Sequence, residues 1–548
     1  MKLRDYQAEV VAADERAWQQ HDRVMNVLPT GMGKTEIFVQ VAKRWAEREA
    51  ARERVLVVAP TIELVDQAAA KLEARTGVRP GIEQANRRSL EYSLYRSPFV
   101  VGSKPTLCGP RKRYERLDEI GLVIIDECHG ATTKPVAEML DWFVGQGAKV
   151  LGVTATPKRH DDKAMANIFD TCAYEMFIAD AIPLGWLVPP VAKCVQIESM
   201  DLSTVATNGA AGDFKEGDLA RAMEDERVVF EIAEVTARES QGLKTVVFCA
   251  SVAEAKAVAY RLIDKHGVEA GWVCGDKKLC PPESRARILN SFTNDPNGIQ
   301  IVTNVGVLTT GWDFPGLEHI VMARPTKSLS LYTQIFGRGT RPLPGVVDFD
   351  GSTPELRRKA IADSAKPTFK VTDLYDNSLE HKLVGAFDVM AGTMGLEVAK
   401  KAQENAEKDG GPVDVDEALA AAKQQIEDEK ERKRLAAIKS AARYKSVDVD
   451  PMNPHQRAPR VASDRGSVLM NLRPHKGKPL SAVPLGFLRW GLQKGVWNRT
   501  PGIRDAVATE VARRSGQPRQ SPIEGITLPA PAAVQKSIDG INAALLET

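Results

Sequence analysis

One eight-residue stretch, Leu28-Pro29-Thr30-Gly31-Met32-Gly33-Lys34-Thr35, limits what this chain can fold into more than any other. The mostly apolar Val24-Met25-Asn26-Val27 precedes it and Glu36-Ile37-Phe38-Val39-Gln40-Val41 follows, the order of a buried strand, a glycine loop and a helix. In such a loop the backbone N–H groups at the helix N-terminus face one point, where the helix dipole also favours an anion. Lys34 would then set a point charge against the β- and γ-phosphates of a nucleotide, and the Thr35 hydroxyl would hold Mg²⁺. The general pattern has a glycine six residues before the lysine, where this chain has Leu28. On these residues alone an ordinary glycine turn stays open, and the neighbouring motifs decide.

Those neighbours are strand ends. Val55-Leu56-Val57-Val58-Ala59-Pro60-Thr61 is an apolar run stopped by proline, and a helical segment over 63–75 follows, with Gly77 just beyond it. Residues 99–103, 122–125 and 150–153 are further apolar runs; the second opens into Asp126-Glu127-Cys128-His129 and the third into Thr154-Ala155-Thr156-Pro157. Buried strands alternating with helices predict an α/β, doubly wound parallel sheet whose ligands lie at the carboxyl ends of the strands. There Asp126 can coordinate Mg²⁺ and Glu127 can polarise an attacking water, although an Asp-Glu pair is also a common plain strand end. Gln7 sits early on a helix before the first strand; its amide suits an adenine edge, or simply the surface.

The alternation restarts after Leu187-Val188-Pro189-Pro190. Strands are expected at 245–249, 298–304 and 319–323, with helices over 252–265 and 328–336, while the polar residues 199–225 read as a loop without an assignable role. This second lobe has no phosphate loop. It carries instead Gly311-Trp312-Asp313 and Gly337-Arg338-Gly339-Thr340-Arg341, and two arginines three residues apart suit a lobe that brings positive charge to a nucleotide held by the other. Without a nucleotide site elsewhere, Arg338 and Arg341 would read as a surface pair. Asp348, Asp350, Glu355 and Lys359 read as a structural acidic-basic cluster.

At 548 residues the chain needs several cores. Its net charge of +2 conceals an asymmetry, because residues 446–548 hold 14 Lys+Arg against 8 Asp+Glu, which points to a polyanionic partner. Seven scattered cysteines without a C-x-x-C pair indicate neither a disulfide framework nor a zinc site, so a reducing, cytoplasmic setting is expected. No run approaches a membrane span, and no membrane partner is expected.

Taken in order, Leu3-Arg4-Asp5-Tyr6-Gln7, LPTGMGKT at 28–35, Ala59-Pro60-Thr61 with Leu64 and Gln67, DECH at 126–129, TATP at 154–157, Thr303 with Gly311 and Asp313, and QIFGRGTR at 334–341 resemble the superfamily 2 helicases and translocases. The resemblance spans about the first 380 residues, and a leucine at position 28 is common in that family. It implies two RecA-like lobes, 1–185 and 186–380, ATP and Mg²⁺ as cofactors, and DNA as partner. It also assigns roles: Gln7 to adenine; Gly31, Gly33, Lys34 and Thr35 to phosphates and Mg²⁺; Asp126 and Glu127 to metal and water; Gly311 and Asp313 to the nucleotide; Arg338 and Arg341 as arginine fingers. Thr61, Ser103, Thr106, Ser251 and Thr303 become candidate contacts to a nucleic-acid backbone, though each could equally cap a helix. DECH and the motif starting at Gln334 are most similar to DNA-active members such as the helicase subunits of type III restriction enzymes. The interval from Asp313 to Gln334 has no room for a long strand-separating hairpin, which favours translocation or remodelling over processive unwinding.

Residues 381–450 are expected to be a charged helical linker, and 451–548 a small basic accessory module that engages DNA or docks replication or recombination proteins. Between Arg457 and Lys478 stand six Arg or Lys against one acid, while Phe487, Trp490 and Trp497 are expected to pack a small core beside Leu485, Leu488 and Leu492. A different class of function stays in view, a nucleotide-gated binding subunit of a restriction or recombination assembly that does not move along DNA.

Overall fold

The computed structural model describes residues 3–48, 53–89, 96–155, 165–209, 212–309, 311–376, 383–441, 480, 483–494, 496 and 501–515. Thr156 and Pro157 of the TATP motif, Trp497 and the basic segment from Arg457 to Lys478 lie outside the described residues. The chain divides into two compact units, Met1–Lys439 and Ser440–Thr548.

The first unit is built on two sheets. The first contains β1 (Arg23–Val27), β2 (Arg54–Ala59), β3 (Gly81–Glu83), β4 (Phe99–Ser103), β5 (Ile120–Asp126), β6 (Lys149–Thr154) and β7 (Thr171–Glu175) in the order β3-β4-β2-β5-β6-β1-β7, every pairing parallel. Its central strands are largely apolar because helices cover both faces: all six residues of β2 are buried, Arg54 at its start included. The helix Lys34–Ala46 buries Ile37, Phe38, Val41, Ala42 and Trp45, which recur at helical spacing along its inner face. Since β1, β5 and β6 are neighbours, their carboxyl ends bring the phosphate-loop sequence, the Asp-Glu pair and Thr154 to one edge.

The second sheet contains β8 (Pro190–Gln196), β9 (Thr245–Phe248), β10 (Ala270–Cys274), β11 (Ile301–Val305), β12 (His319–Met322), β13 (Phe369–Tyr375) and β14 (Val413–Asp414), ordered β10-β11-β9-β12-β13-β8-β14. Only β14 runs antiparallel. Both lobes thus have the expected doubly wound α/β architecture.

Two expectations are corrected. Residues 199–225 are no idle loop: Met200, Leu202, Val205, Phe214, Leu219 and Met223 are buried against one face of the second sheet, and a helix spans Glu216–Met223. Within that segment Asp213 accepts hydrogen bonds from the Thr326 hydroxyl at 2.8 Å and the Lys327 N–H at 2.8 Å, fixing the turn that opens the helix Leu329–Gly339. Nor is 381–450 a solvated spacer throughout. The helices Ala386–Met390 and Leu396–Asp409 pack into the second lobe, β14 extends its sheet, and Val415, Leu419 and Ala422 on the helix Val415–Ala441 join its core. The high charge of this stretch reflects outward faces, with apolar residues still recurring inward.

The second unit, taken by itself, has helices Leu485–Gln493 and Pro501–Arg514 around Leu480, Val483, Leu488 and Val507. Glu510 holds Arg513 and Arg514, and the Arg514 guanidinium donates to the Val483 carbonyl at 2.8 Å. Trp490 departs from the expected core packing: it is 49% exposed, its ring tilted against Phe487 with centroids 5.6 Å apart.

Candidate active site

The glycine loop is shaped by two residues that an L side chain would strain, Gly31 at φ +94° and Gly33 at φ +72°. A Cβ on Gly33 would also meet the Gln7 amide at 2.6 Å. Leu28, where the general pattern has glycine, is fully buried, and its N–H donates to the Thr154 carbonyl at 2.9 Å, so the position serves as a core anchor. The first intrahelical bond runs from Ile37 N to Gly33 O, which leaves the N–H groups of Lys34, Thr35 and Glu36 without intrahelical acceptors at the cavity wall.

The cavity measures about 330 Å³ and lies between the two lobes of the first unit. Gly31, Gly33, Lys34, Thr35, Asp126 and Glu127 line it from the first lobe, and Gly311, Asp313, Arg338 and Arg341 from the second. Residues up to about 310 positions apart in the chain therefore converge on one space, and ten of the eleven residues expected at the nucleotide do so.

Lys34 Nζ donates to the Leu28 carbonyl at 3.3 Å and stands 3.9 Å from Glu127 Oε1. Burial pulls its pKa down, with the two acids opposing that shift. Burial, reinforced by the charge of Glu127, pushes the Asp126 carboxyl up. Glu127 goes the other way: burial disfavours its charge, but Lys34 and His129 outweigh that and hold the carboxyl below its usual range. The pair is thus split, with Glu127 the one kept ionised. Glu127 also sits at φ +50°, a left-handed conformation uncommon for a non-glycine residue and the kind of local strain that surrounding structure must hold in place. His129 Nδ1 lies 3.3 Å from Glu127 Oε2 and 3.3 Å from the Thr154 hydroxyl, joining the DECH and TATP motifs side chain to side chain.

The two arginines differ. Arg338 is 7% exposed, and its guanidinium donates to the carbonyls of Thr309, at 3.2 and 2.7 Å, and of Trp312. It brackets the loop that presents Gly311 and Asp313. Arg341 pairs with Asp313, and its Nε is buried without a hydrogen-bond partner. A Cβ on Gly31 would meet Arg341 Cγ at 3.0 Å, so this side chain lies over the phosphate loop. Burial lowers both guanidinium pKa values to about 10, which leaves them charged at neutral pH.

Gln7 stands behind the loop and does not line the cavity. Its carbonyl accepts from Arg4 N at 3.0 Å and its amide donates to the Met32 carbonyl at 3.3 Å, so it braces the loop. Among the further residues that line the cavity are Arg4 and Asp348, joined by a bidentate pair at 2.7 and 3.0 Å. Asp348 is therefore no bystander of a surface cluster. Trp186, on the segment joining the lobes, is flanked by guanidinium groups, Arg4 at 5.1 Å and Arg357 at 3.7 Å, with Tyr6 at its edge.

The candidate backbone contacts separate as well. Thr303 is fully buried and donates to the Ala255 carbonyl at 2.7 Å, a core role that removes it from any nucleic-acid path. Ser103 is 3% exposed and donates to Thr106, whose hydroxyl accepts from Ala85 N. Thr61 and Ser251, both half-buried, cap the helices Ile62–Thr76 and Val252–His266.

Family models match two segments: that of the type III restriction enzyme res subunit covers residues 1–159, and that of the helicase conserved C-terminal domain covers residues 227–342. The IRC3 protein of Saccharomyces cerevisiae, described as an ATP-dependent helicase, is 29% identical over 352 residues, 62% of this chain and 49% of its own length. A type I restriction enzyme endonuclease subunit, EcoAI, of Escherichia coli is 27% identical over 359 residues, 58% of this chain and 42% of its own. The chain spans about half the length of these relatives. In fold it is similar to the ATP-dependent type ISP restriction-modification enzyme LlaBIII bound to DNA, with a TM-score of 0.50 at 15% identity over 70% of this chain and 28% of that one. Motif order, paired lobes and sequence relatives agree: the chain belongs to the superfamily 2 helicases and translocases, a family of ATP hydrolases.

Proposed function

We propose that this protein hydrolyses ATP with Mg²⁺ to move along, or remodel, DNA. The observation that carries this reading is the cleft itself, where the lysine and acid pair of one lobe face the arginines of the other. The donor set suits Mg²⁺. Thr35 and Asp126, both on the cavity wall, would supply two oxygen ligands, and Mg²⁺ in nucleotide sites takes its remaining ligands from phosphates and water. When bound, the ion neutralises charge on the transferring phosphoryl group.

In this reading Lys34 and the helix N-terminus hold the phosphates, Glu127 orients the attacking water, and Arg341 meets the charge that develops in the transition state. Arg338 holds the loop that places Gly311 and Asp313. Gln7 acts by bracing the loop beside the base.

DNA is favoured over RNA by the motif resemblance and by restriction subunits among the relatives. Between Asp313 and the helix Leu329–Gly339 stands only β12 as regular structure, so translocation fits better than wedge-driven unwinding. All seven cysteines are free thiols, which suits the cytoplasm. No helix among the described residues is long and apolar enough to cross a membrane. The second reading, a nucleotide-gated subunit without movement, is favoured by the likeness to one subunit of a restriction assembly. Displacement of streptavidin from end-biotinylated DNA, on forked, tailed and blunt substrates with ATP, separates them. Stimulated turnover without displacement would sustain the gated subunit and end the translocase reading.

A further inference from the structure

The Gly311-Trp312-Asp313 turn and the nearby Thr309 are held from two directions. Arg338 of the same lobe takes the carbonyls of Thr309 and Trp312. The Gly311 carbonyl is taken by the opposite lobe: the Gln67 side-chain amide donates to it at 2.7 Å across the cleft. Gly311 is left-handed at φ +74°, and a Cβ there would lie 3.6 Å from the Gln67 amide nitrogen and 3.7 Å from Leu64, so the backbone approach is close and its carbonyl direction set by a conformation glycine favours.

Gln67 lies on the helix Ile62–Thr76, whose outward face is committed at both ends. Its N-cap, Thr61, stands among the candidate nucleic-acid contacts. Toward its other end Lys71 and Arg75 pair with Glu36, at 3.6 and 3.0 Å, and Glu36 follows Thr35 in the first turn of the phosphate-loop helix. One rigid helix therefore touches the phosphate-loop helix, the second lobe and the candidate strand path.

We propose that Gln67 is a positioning residue for ATP turnover: its hydrogen bond to Gly311 makes the loop carrying Asp313, and through Asp313 the guanidinium of Arg341, follow the first-lobe helix that meets the nucleic acid. This rests on the reading of DNA-dependent ATP hydrolysis given above. The bond is made between lobes, so it forms on closure and breaks on opening, and a strand that shifts the helix shifts the loop with it. Glutamine suits the role because it offers a neutral donor with enough reach; a glutamate there would oppose a carbonyl with a charge.

The test compares Gln67→Ala, Gln67→Glu and Gln67→Lys with the unaltered full chain, reading kcat with and without saturating DNA, KM for ATP, the DNA concentration for half-maximal stimulation, and the thermal midpoint. The Ala and Glu substitutions are expected to lower the ratio of stimulated to unstimulated kcat by about ten-fold, with half-saturating DNA and the thermal midpoint nearly unchanged. Lys, which restores a donor of longer reach, is expected to recover much of the ratio. A stimulation ratio equal to that of the unaltered chain, or loss tracking the thermal midpoint, overturns the proposal and leaves DNA-dependent hydrolysis standing. An unaltered chain whose turnover ignores DNA overturns the functional reading itself, and the role of Gln67 with it.

Discussion

At the scale of single residues, Lys34 and Glu127 separate binding from chemistry although they stand 3.9 Å apart. Lys34→Ala should weaken nucleotide binding, read with a fluorescent ATP analogue, because the phosphates lose their point charge. Glu127→Gln keeps size and hydrogen bonding and should leave binding near normal while turnover falls by roughly 10² or more, the water having lost its carboxylate. Near-normal hydrolysis in that variant would remove Glu127 from the mechanism. The two arginines divide similarly. Arg341→Ala should cut stimulated kcat by about 10³-fold with a modest change in ATP affinity, since the charge it meets develops in the transition state. Arg338→Ala should lower kcat and also the thermal midpoint, because the carbonyls of Thr309 and Trp312 lose their buried donor. Equal midpoints for the two variants would deny Arg338 its bracketing role. Local chemistry made both arginines legible in the sequence, as short motifs with fixed spacing. What local chemistry could not reveal is partnership at a distance: Arg4 meets Asp348, and Gln67 meets Gly311, only once the two lobes have folded beside each other.

Among the elements, legibility followed burial on both faces. The apolar runs of β2 and β5 announce central parallel strands, whereas β3 has three residues, β7 is polar at an edge, and β13 alternates Lys370 and Asp373 with its buried positions. Runs so short, so polar or so irregular in their alternation give a weak strand signal. β8 begins at Pro190, a residue that usually ends a strand but is tolerated as its first. Capping is legible in principle, and at Ser251 it competes with a functional reading of the same hydroxyl. Ser251 accepts from Glu254 N at 3.1 Å, while Glu254 accepts from the N–H groups of Ala250 and Ser251 at 2.8 and 3.3 Å. Glu254 is wholly buried, which raises its carboxyl to about 8. The native state thus keeps a proton that the unfolded chain releases near the ordinary glutamate value, so stability should fall as pH rises from about 4.5 to about 8, by up to about 1.4 kcal/mol per pH unit from this group. Glu254→Gln keeps the acceptor and cannot ionise. In urea melts it should match the unaltered protein near pH 5 and exceed it at pH 8.5; a difference that does not vary with pH would show that Glu254 titrates normally.

For the whole molecule, the nucleotide cleft and both sheets fall within the first compact unit, Met1–Lys439. A chain ending at Ala441 is therefore expected to keep its ATPase without DNA. Its DNA affinity should fall, and the slope of log affinity against log salt should become shallower by about 0.9 for each duplex phosphate no longer neutralised, if the basic residues of 446–548 engage the backbone. An unchanged slope would reassign that region to docking a protein partner.

The closeness of Trp186 to two guanidinium groups has an optical consequence. Its indole sits on the segment that joins the lobes, and one of its two cationic neighbours, Arg4, is shared with Asp348 across the cavity wall. Anything that separates the lobes or draws Arg4 away must alter the electric field on that ring, and indole emission shifts in wavelength and intensity with the local field. The protein thereby carries an intrinsic fluorophore at its own hinge. Nucleotide addition should shift tryptophan emission in stopped flow, and Trp186→Phe should remove the part of the change that arises on the segment joining the lobes, leaving the response of Trp312, which lines the cavity itself.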